Sequence, residues 1–461
     1  MTTMRLRASA ATTVGRVVAW ATRRLQLGGG TAVPGFLALL VYPGLLDELA
    51  RQLPHGTVIV AGTNGKTTTA RALAALLQAS GLAVVHNRSG SNLPRGIASA
   101  FVDGSSVTGR IRGEIAVVEV DEFALPTAVG ALRPRLLVLL NLFRDQLDRY
   151  GELETVAQTW RGALAALPPD ALVVVNADDP VLTALTEPLS ERRWTFGLDD
   201  PTVALPALPH AADWRLCPRC GEALTYRQVF LGHLGIYQCT GCSFSRPPLT
   251  VSGRSVASVV PLRIEAVAGT STITLESQLA GVYNAYNVLA AATAGLALGL
   301  DQAEIVRVLG SVEAAFGRQE RVTCDGHELT LLLVKNPTGF NEAIRLLVLA
   351  QQRCPVLILI NDLDADGRDV SWLWDVDVEK LRALDVPVST GGIRGGEMAL
   401  RLEYAGIEPV AQHRGVVEAF DRWIASLPPA SCGWVLATYT AMLELRRALA
   451  QRGLLPSFWA Q

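Results

Sequence analysis

Residues 62 to 69 read Gly62-Thr63-Asn64-Gly65-Lys66-Thr67-Thr68-Thr69, directly after the apolar run Thr57 to Ala61 and before a long Ala/Leu-rich stretch reaching Ala79. A strand, a glycine-rich turn and a helix in that order can hold phosphate. Glycines let backbone N–H groups face the anion, the helix N-terminus favours negative charge, and a lysine in the turn neutralises it. Gly62, Thr63, Asn64, Gly65, Lys66, Thr67 and Thr68 are therefore the candidate nucleotide-binding residues. Lys66 is also a candidate catalytic residue and the Thr67 hydroxyl a candidate magnesium ligand. Val60 stands where the longer G-x-x-x-x-G-K-[ST] pattern has its first glycine.

A second acidic element narrows the chemistry. Val117-Val118-Glu119-Val120-Asp121-Glu122 puts carboxylates at the C-terminal end of an expected strand, where ligand sites of open α/β sheets lie. A carboxylate there can hold the magnesium ion that accompanies ATP. Glu119 is the candidate ligand and catalytic group. Asp121 shares its face only while the strand continues, and Glu122 belongs to the following loop. Surface acids at a strand end are the plainer alternative.

Cys217-Pro218-Arg219-Cys220 and Cys239-Thr240-Gly241-Cys242 form two C-x-x-C pairs. Their separation suits a four-thiolate zinc site, and four protein ligands leave no open position, so the metal expected is structural. Disulfides or free thiols are the alternative. Cys324, Cys354 and Cys432 stand isolated in the sequence, which argues for a reducing compartment and so for the cytoplasm.

The elements needed to position these residues are legible as an α/β pattern. Strands are expected at 57–61, 82–86, 115–120, 136–140 and 172–175, alternating with helices, which predicts a mostly parallel sheet covered on both faces. A small inserted module spans about 213–248, and a strong Ala/Leu helix runs over 282–299. A second α/β region then follows, with strands at 329–334, 356–360, 386–390 and 434–437. The expected organisation is a helical lead over 1–50, a central ATP-binding domain over 51–316 and a C-terminal Rossmann-like α/β domain over 317–461.

With 461 residues, 49% of them hydrophobic, each domain can bury a core. The net charge of −2, from 41 basic and 43 acidic side chains, gives no electrostatic reason to expect a nucleic-acid partner. The apolar stretch from Phe36 to Leu46 is short and broken by Pro43 and Gly44, so no membrane span is expected, and the arginine-bearing N-terminus lacks the long uninterrupted apolar core and small-residue cleavage site of a signal peptide. Arg5, Arg7, Arg16, Arg23 and Arg24 among Ala, Val and Trp20 read as a basic amphipathic helix, either docked on the body or touching an anionic membrane surface.

These residues, with several others, resemble the Mur ligase family. The short G-T-N-G-K-T-T loop is the form seen in Mur ligases and folylpolyglutamate synthetases. Asn141 to Tyr150 is similar to the segment in which most Mur ligases carry a metal-binding His. Asn176-Ala177-Asp178-Asp179-Pro180 resembles the N-A-D-D-P strand end. Gly281-Val282-Tyr283-Asn284-Ala285-Tyr286-Asn287 resembles the G-x-[HY]-N-x-x-N helix start, and Gly317 to Arg321 the hinge motif. The resemblance implies a Mur-type central P-loop ATPase domain. It also implies that Asn284 and Asn287 approach the adenine and that Arg318 approaches the nucleotide.

The departures resemble one branch of the family. Gln146 replaces the His, the 155–161 segment lacks the usual carbamylated Lys, and Leu332 replaces the Asp opening the D-Y-A-H-x-P strand. Too few residues precede Gly62 for the usual UDP-binding domain. Lys335 to Asn341, Asn361 to Asp375 and the cysteine module also match that branch.

Resemblance to it implies ATP-dependent amidation of the D-glutamate α-carboxylate in the lipid II stem peptide. The implied route is an acyl phosphate attacked by ammonia from a GatD-like glutamine amidotransferase subunit. It further implies that Asp369 faces that partner and completes its Cys–His pair. The implied place of work is the cytoplasm, at or near the inner face of the membrane, with ATP, Mg²⁺ and structural Zn²⁺ as cofactors. Two alternatives stay open: a ligase that joins an amino acid to a carboxylate, and a zinc-ribbon P-loop protein that uses ATP only as a switch.

Overall fold

The computed structural model describes residues 2–24, 32–87, 91–145, 153–209, 212–312 and 318–455. A helical lead comes first, α1 (Thr2–Arg24), α2 (Val33–Val41) and α3 (Leu45–Ala50). Strands and helices then alternate: β1 (Thr57–Ala61), α4 (Lys66–Ala79), β2 (Val84–His86), α5 (Pro94–Asp103), β3 (Ile115–Val120) and α6 (Leu125–Leu132). The alternation continues with β4 (Leu136–Leu139), α7 (Leu153–Ala165), β5 (Leu172–Asn176), α8 (Pro180–Leu185) and β6 (Arg193–Leu198).

A separate antiparallel hairpin, β7 (Leu224–Leu231) with β8 (Leu234–Cys239), interrupts this order. Then come β9 (Val251–Val259), β10 (Leu262–Ala268) and β11 (Ser271–Ser277), followed by α9 (Val282–Ala297) and α10 (Gln302–Leu309). The first sheet has nine strands in the order β11-β10-β9-β6-β5-β4-β1-β3-β2. It is parallel from β2 to β9, with β10 and β11 antiparallel at the edge.

Every residue of β1 is buried because both faces of the sheet are covered. Side chains alternate across a strand. Val58 and Val60 therefore join the core under α4 and α9, while Ile59 and Ala61 join the opposite core, which includes α3, α5 and α7. β1 leads into α4 on one face of the sheet, while its neighbour β3 leads into α6 on the other, which opens a crevice between their ends. That crevice at the C-terminal strand ends is where the phosphate loop falls.

The second sheet begins at β12 (Arg318–Cys324) and continues with β13 (His327–Leu333), α11 (Pro337–Ala350), β14 (Val356–Leu359), β15 (Val388–Gly391) and α12 (Gly395–Tyr404). β16 (Ala411–His413), α13 (Val416–Ser426), β17 (Cys432–Ala437) and α14 (Tyr439–Gln451) complete it. Its order is β12-β13-β17-β14-β15-β16, all parallel except the β12–β13 hairpin.

The structure corrects one reading of the cysteines. Cys354 and Cys432 form a disulfide with Cα atoms 5.2 Å apart, across 78 residues of sequence. They lead into β14 and begin β17, which are parallel neighbours, so the topology brings together what the sequence leaves apart. Those two thiols therefore no longer argue for a reducing compartment. Among the described residues, no helix is long and apolar enough to cross a membrane.

Candidate functional site

The phosphate loop owes its shape to two glycines. Gly62 has φ +152° and a Cβ there would lie 2.8 Å from Leu140 Cβ. Gly65 has φ +88°, and a Cβ there would meet Asn287 Oδ1 at 2.1 Å. Only glycine combines this backbone with such close approach. The loop is tied down on its other side by the end of β4. Thr63 N–H donates to Asn141 O at 3.0 Å, Asn64 N–H donates to Asn141 Oδ1 at 2.8 Å, and Asn141 Nδ2 returns a bond to Asn64 O at 3.0 Å.

Lys66 opens α4, and its side chain curls back into the loop. Its Nζ donates to Gly62 O at 2.5 Å and Thr63 O at 3.3 Å, and pairs with Glu122 Oε2 at 3.1 Å. Thr67 Oγ1 donates to Glu119 Oε2 at 2.7 Å. Register explains that meeting, since Glu119 pairs with Val60 across β1 and β3, one residue short of the strand end. Asn87 fixes the Glu119 backbone from both sides, receiving its N–H at 2.9 Å and donating to its C=O at 2.8 Å. Asn92 Nδ2 lies 3.4 Å from the second Glu119 oxygen. Thr68 is buried at the start of α4.

Strand β3 ends at Val120, so Asp121 belongs to the turn and does not continue the Glu119 face. Asp121 Oδ1 accepts the Phe123 N–H at 3.2 Å. Glu122, on the loop, is the acid that meets Lys66.

Lys335, which follows β13 of the second sheet, forms a close ion pair with Asp145, which follows β4 of the first. The next residue, Asn336, donates from Nδ2 to Asn64 Oδ1 at 3.2 Å. Four charged groups thus meet where the two sheets face the phosphate loop. Burial would raise the Glu122 carboxyl, but Lys66 and Lys335 outweigh it and hold it below the ordinary glutamate range. Burial raises Asp145, with Lys335 opposing and the Glu122 charge adding to the rise. No local pattern in the sequence links Lys335 to Asp145, because 190 residues separate them. The one signal for their contact was that Lys335-Asn336-Pro337 occupies a motif position.

The two asparagines of α9 sit above the loop. Asn284 Nδ2 donates to Ala280 O at 2.8 Å, and Asn287 Nδ2 donates to Asn284 Oδ1 at 2.9 Å, which turns the Asn287 oxygen toward Gly65. Gln319 clasps the same segment through Ala280 N–H at 2.7 Å and the Tyr283 hydroxyl at 2.6 Å. Arg318 begins β12 beside it, with a side chain outside the described residues. Gln146 and Gly317 also lie outside them. In the 155–161 segment, on α7, Trp160 is fully buried and its indole donates to Glu122 O at 2.8 Å.

The four paired cysteines gather beside the β7–β8 hairpin, with all four sulfurs within 4.8 Å of one another. Cys217 Sγ and Cys242 Sγ are 3.8 Å apart, and Cys220 Sγ and Cys239 Sγ are 3.4 Å apart. Ligands about 2.3 Å from a tetrahedral zinc stand roughly 3.8 Å from each other, so the set fits that ion. The Gly241 N–H points at Cys239 Sγ at 3.3 Å and favours its thiolate.

The hairpin is joined to the nucleotide side through buried charge. Arg246 NH1 pairs with Asp178 Oδ1 at 2.8 Å, and the Tyr286 hydroxyl of α9 donates to Asp178 Oδ2 at 2.6 Å. Arg144 pairs with Asp213 at 2.5 Å and with Asp375 at 3.3 Å.

Asp369 is exposed on the loop after β14, its Oδ1 accepting the Ser371 N–H at 2.8 Å. The other acids of that region have local partners. Asp362 pairs with Arg394, Asp364 with Arg368, and Asp377 with Lys380. Asp366 accepts the Thr440 N–H at 2.8 Å.

Comparison with known proteins gives this geometry a family. Residues 60–213 match the Mur ligase middle domain, and residues 333–442 match the MurT ligase C-terminal domain. The chain resembles solved ligases in fold. A pseudomurein peptide ligase type C from Methanothermus fervidus superposes with a TM-score of 0.68 at 20% identity, over 87% of this chain and 79% of that one. MurF ligase from Thermotoga maritima in complex with ADP gives 0.61 at 15% identity, over 92% and 85%.

Sequence relatives agree over greater length. The MurT subunit of lipid II isoglutaminyl synthase (glutamine-hydrolyzing) from Streptococcus pneumoniae is 35% identical over 431 residues, covering 93% of this chain and 94% of its own. The subunit of the same name from Staphylococcus aureus strain COL is 31% identical over 402 residues, covering 85% and 86%. A third of the residues kept across both domains, together with a match to the C-terminal domain specific to that branch, establishes that this chain belongs to the MurT family of Mur-type ligases.

Proposed function

We propose that the chain is the ATP-consuming synthetase subunit of a lipid II isoglutaminyl synthase, converting the D-glutamate α-carboxylate of the stem peptide to a carboxamide. The observation that carries the reading is the contact between Thr67 Oγ1 and Glu119 Oε2 at 2.7 Å beside a glycine-shaped phosphate loop. A hydroxyl and a carboxylate so placed suit a magnesium ion, which when bound would neutralise phosphate charge and bring the acceptor carboxylate close to ATP.

Lys66 moves its charge from Glu122 and the loop carbonyls onto the β- and γ-phosphates when nucleotide enters. Gly62 to Thr68 supply backbone N–H groups to those phosphates. Asn284 and Asn287 bound the adenine side, and Arg318 approaches the nucleotide from the second sheet. The γ-phosphoryl group passes to a carboxylate oxygen, giving an acyl phosphate and ADP. Ammonia then adds to the acyl carbon and phosphate departs, which a free carboxylate would not permit. Lys66 stabilises the charge that develops during transfer.

The chain has six His residues, and none of them pairs with a cysteine in a recognised motif, so ammonia comes from a GatD-like glutaminase on another chain. Asp369 suits a role in trans: it is exposed and shares its loop region with exposed Leu363 and Trp374. A carboxylate offered there can orient a partner His. The four cysteines hold a structural zinc ion. The use of ATP supports a cytoplasmic location, with the lipid-linked substrate met at the inner membrane face.

The test is co-purification with a GatD-like subunit, followed by an assay with lipid II, ATP and glutamine. The product should differ from substrate by one hydroxyl replaced by one amino group. Incorporation of a whole amino acid would instead favour ordinary Mur-type ligation. Lys66→Ala should abolish ATP turnover and amidation together.

A further inference from the structure

The helical lead is amphipathic in the reverse of the usual sense. The side of α1 that packs on the body is made of small residues: Ala8, Ala11, Thr12, Gly15 and Ala19 are buried. A Cβ on Gly15 would meet Val102 Cγ1 at 2.8 Å and Pro34 O at 3.1 Å, so α1 lies close against α2 and α5 there. The hydroxyls of Ser9 and Thr13 bond to Val107 O. The large apolar side chains face outward instead, with Leu6 65% exposed, Val17 58% and Trp20 65%.

α2 repeats the arrangement. Pro34, Gly35 and Ala38 are buried, while Val33, Phe36 and Leu40 are exposed at helical spacing. A helix bathed only in water buries its large apolar residues and exposes its polar ones. Contiguous exposed apolar surface marks an interaction site.

Charge indicates what covers it. Five arginines (Arg5, Arg7, Arg16, Arg23 and Arg24) precede Asp47, and no Asp or Glu does. Arg16 is turned to the body, donating to Ser105 O at 2.6 Å, whereas Arg7 and Arg24 are exposed toward the two ends of α1. Large apolar side chains with a tryptophan, flanked by arginines and free of carboxylates, suit the boundary of an anionic bilayer. The apolar groups enter the acyl region and the cations remain among the headgroups.

We infer that the outer faces of α1 and α2 form a docking surface for an anionic membrane. This deepens the proposed function by naming the surface through which the enzyme meets a lipid-borne substrate. The test needs neither that substrate nor ATP, so its failure and the failure of the amidation reading are distinguishable.

The experiment is co-sedimentation of the full chain with vesicles of phosphatidylcholine alone or mixed with phosphatidylglycerol, at low and high salt. The expected result is binding to the anionic vesicles that weakens with salt. Binding should fall on the order of tenfold or more for Val17→Asp/Phe36→Asp and for Arg7→Glu/Arg24→Glu. These residues are solvent-facing, so unchanged thermal unfolding confirms intact variants, and Trp20→Ser gives an independent reduction. No binding to anionic vesicles at low salt overturns the inference. So does undiminished binding by the variants. Self-association of the wild-type chain that Val17→Asp/Phe36→Asp abolishes, without vesicle binding, would assign the face to a second copy.

Discussion

Lys335 and Asp145 form an ion pair that joins the two sheets at the phosphate loop, and neighbouring Asn336 reaches Asn64 of the loop itself. Asp145 is nearly buried, and burial raises its carboxyl while Lys335 opposes the rise. Lys335→Met should leave this acid without its cation. The expected outcome is a loss of roughly 10- to 100-fold in kcat through mispositioned lobes, at a stability cost of about 2 kcal/mol. Lys335→Arg should restore part of the rate. Steady-state kinetics and thermal melts read both effects, and an unchanged kcat would show that the pair only ornaments the interface.

Thr67 and Glu119 should reveal themselves through magnesium. Thr67→Val removes the hydroxyl ligand and Glu119→Gln removes the carboxylate charge, each without a large change in volume. The Mg²⁺ concentration giving half-maximal ATP turnover should rise on the order of tenfold or more. A magnesium titration of the ATPase rate checks this, and coincident curves for wild type and variants would oppose the assignment.

Zinc should be held at one ion per chain by the four cysteines. Cys217→Ser or Cys239→Ser should lose that metal by elemental analysis and unfold at a temperature several degrees lower. The hairpin region would loosen first, as reduced hydrogen-exchange protection over Leu224–Cys239. Full metal content in either variant would contradict the four-thiolate reading.

Asp178 predicts a pH dependence of known sign. Burial, only partly offset by Arg246, pushes its carboxyl up to about 6. Below roughly pH 4 it is protonated in both the folded and the unfolded chain. Between there and about pH 6 the folded state keeps a proton that the unfolded chain has lost, so this group's contribution to stability falls as pH rises through the window. Asp178→Asn stays neutral throughout. Its stability relative to wild type should therefore improve by on the order of 2–3 kcal/mol between pH 4 and pH 7. Denaturant melts across that range measure the difference, and the opposite slope would refute the cause.

The parallel core was legible because β1, β3, β4 and β5 are buried on both faces and so read as continuous apolar runs. The edge meander was not. β10 alternates polar and apolar residues as Leu262-Arg263-Ile264-Glu265-Ala266, a period that short windows with Ser, Thr and Gly on either side conceal. Within the site, local motifs announced the phosphate loop, Glu119 and the cysteine pairs. The Lys66–Glu122 and Lys335–Asp145 pairs required the fold, since neither partner's neighbours specify which acid its lysine will meet. The Cys354–Cys432 bond is the same case, created by two strands becoming neighbours.

In the proposed reaction ATP activates a carboxylate by phosphorylation beside Lys66 and Glu119. Its most direct test uses lipid II whose D-glutamate α-carboxylate carries heavy oxygen, incubated with the chain, ATP, Mg²⁺ and ammonia. Mass spectrometry of the released inorganic phosphate should find one heavy oxygen per amide formed, and none with Lys66→Ala. Amide formation with only unlabelled phosphate would rule out an acyl phosphate intermediate.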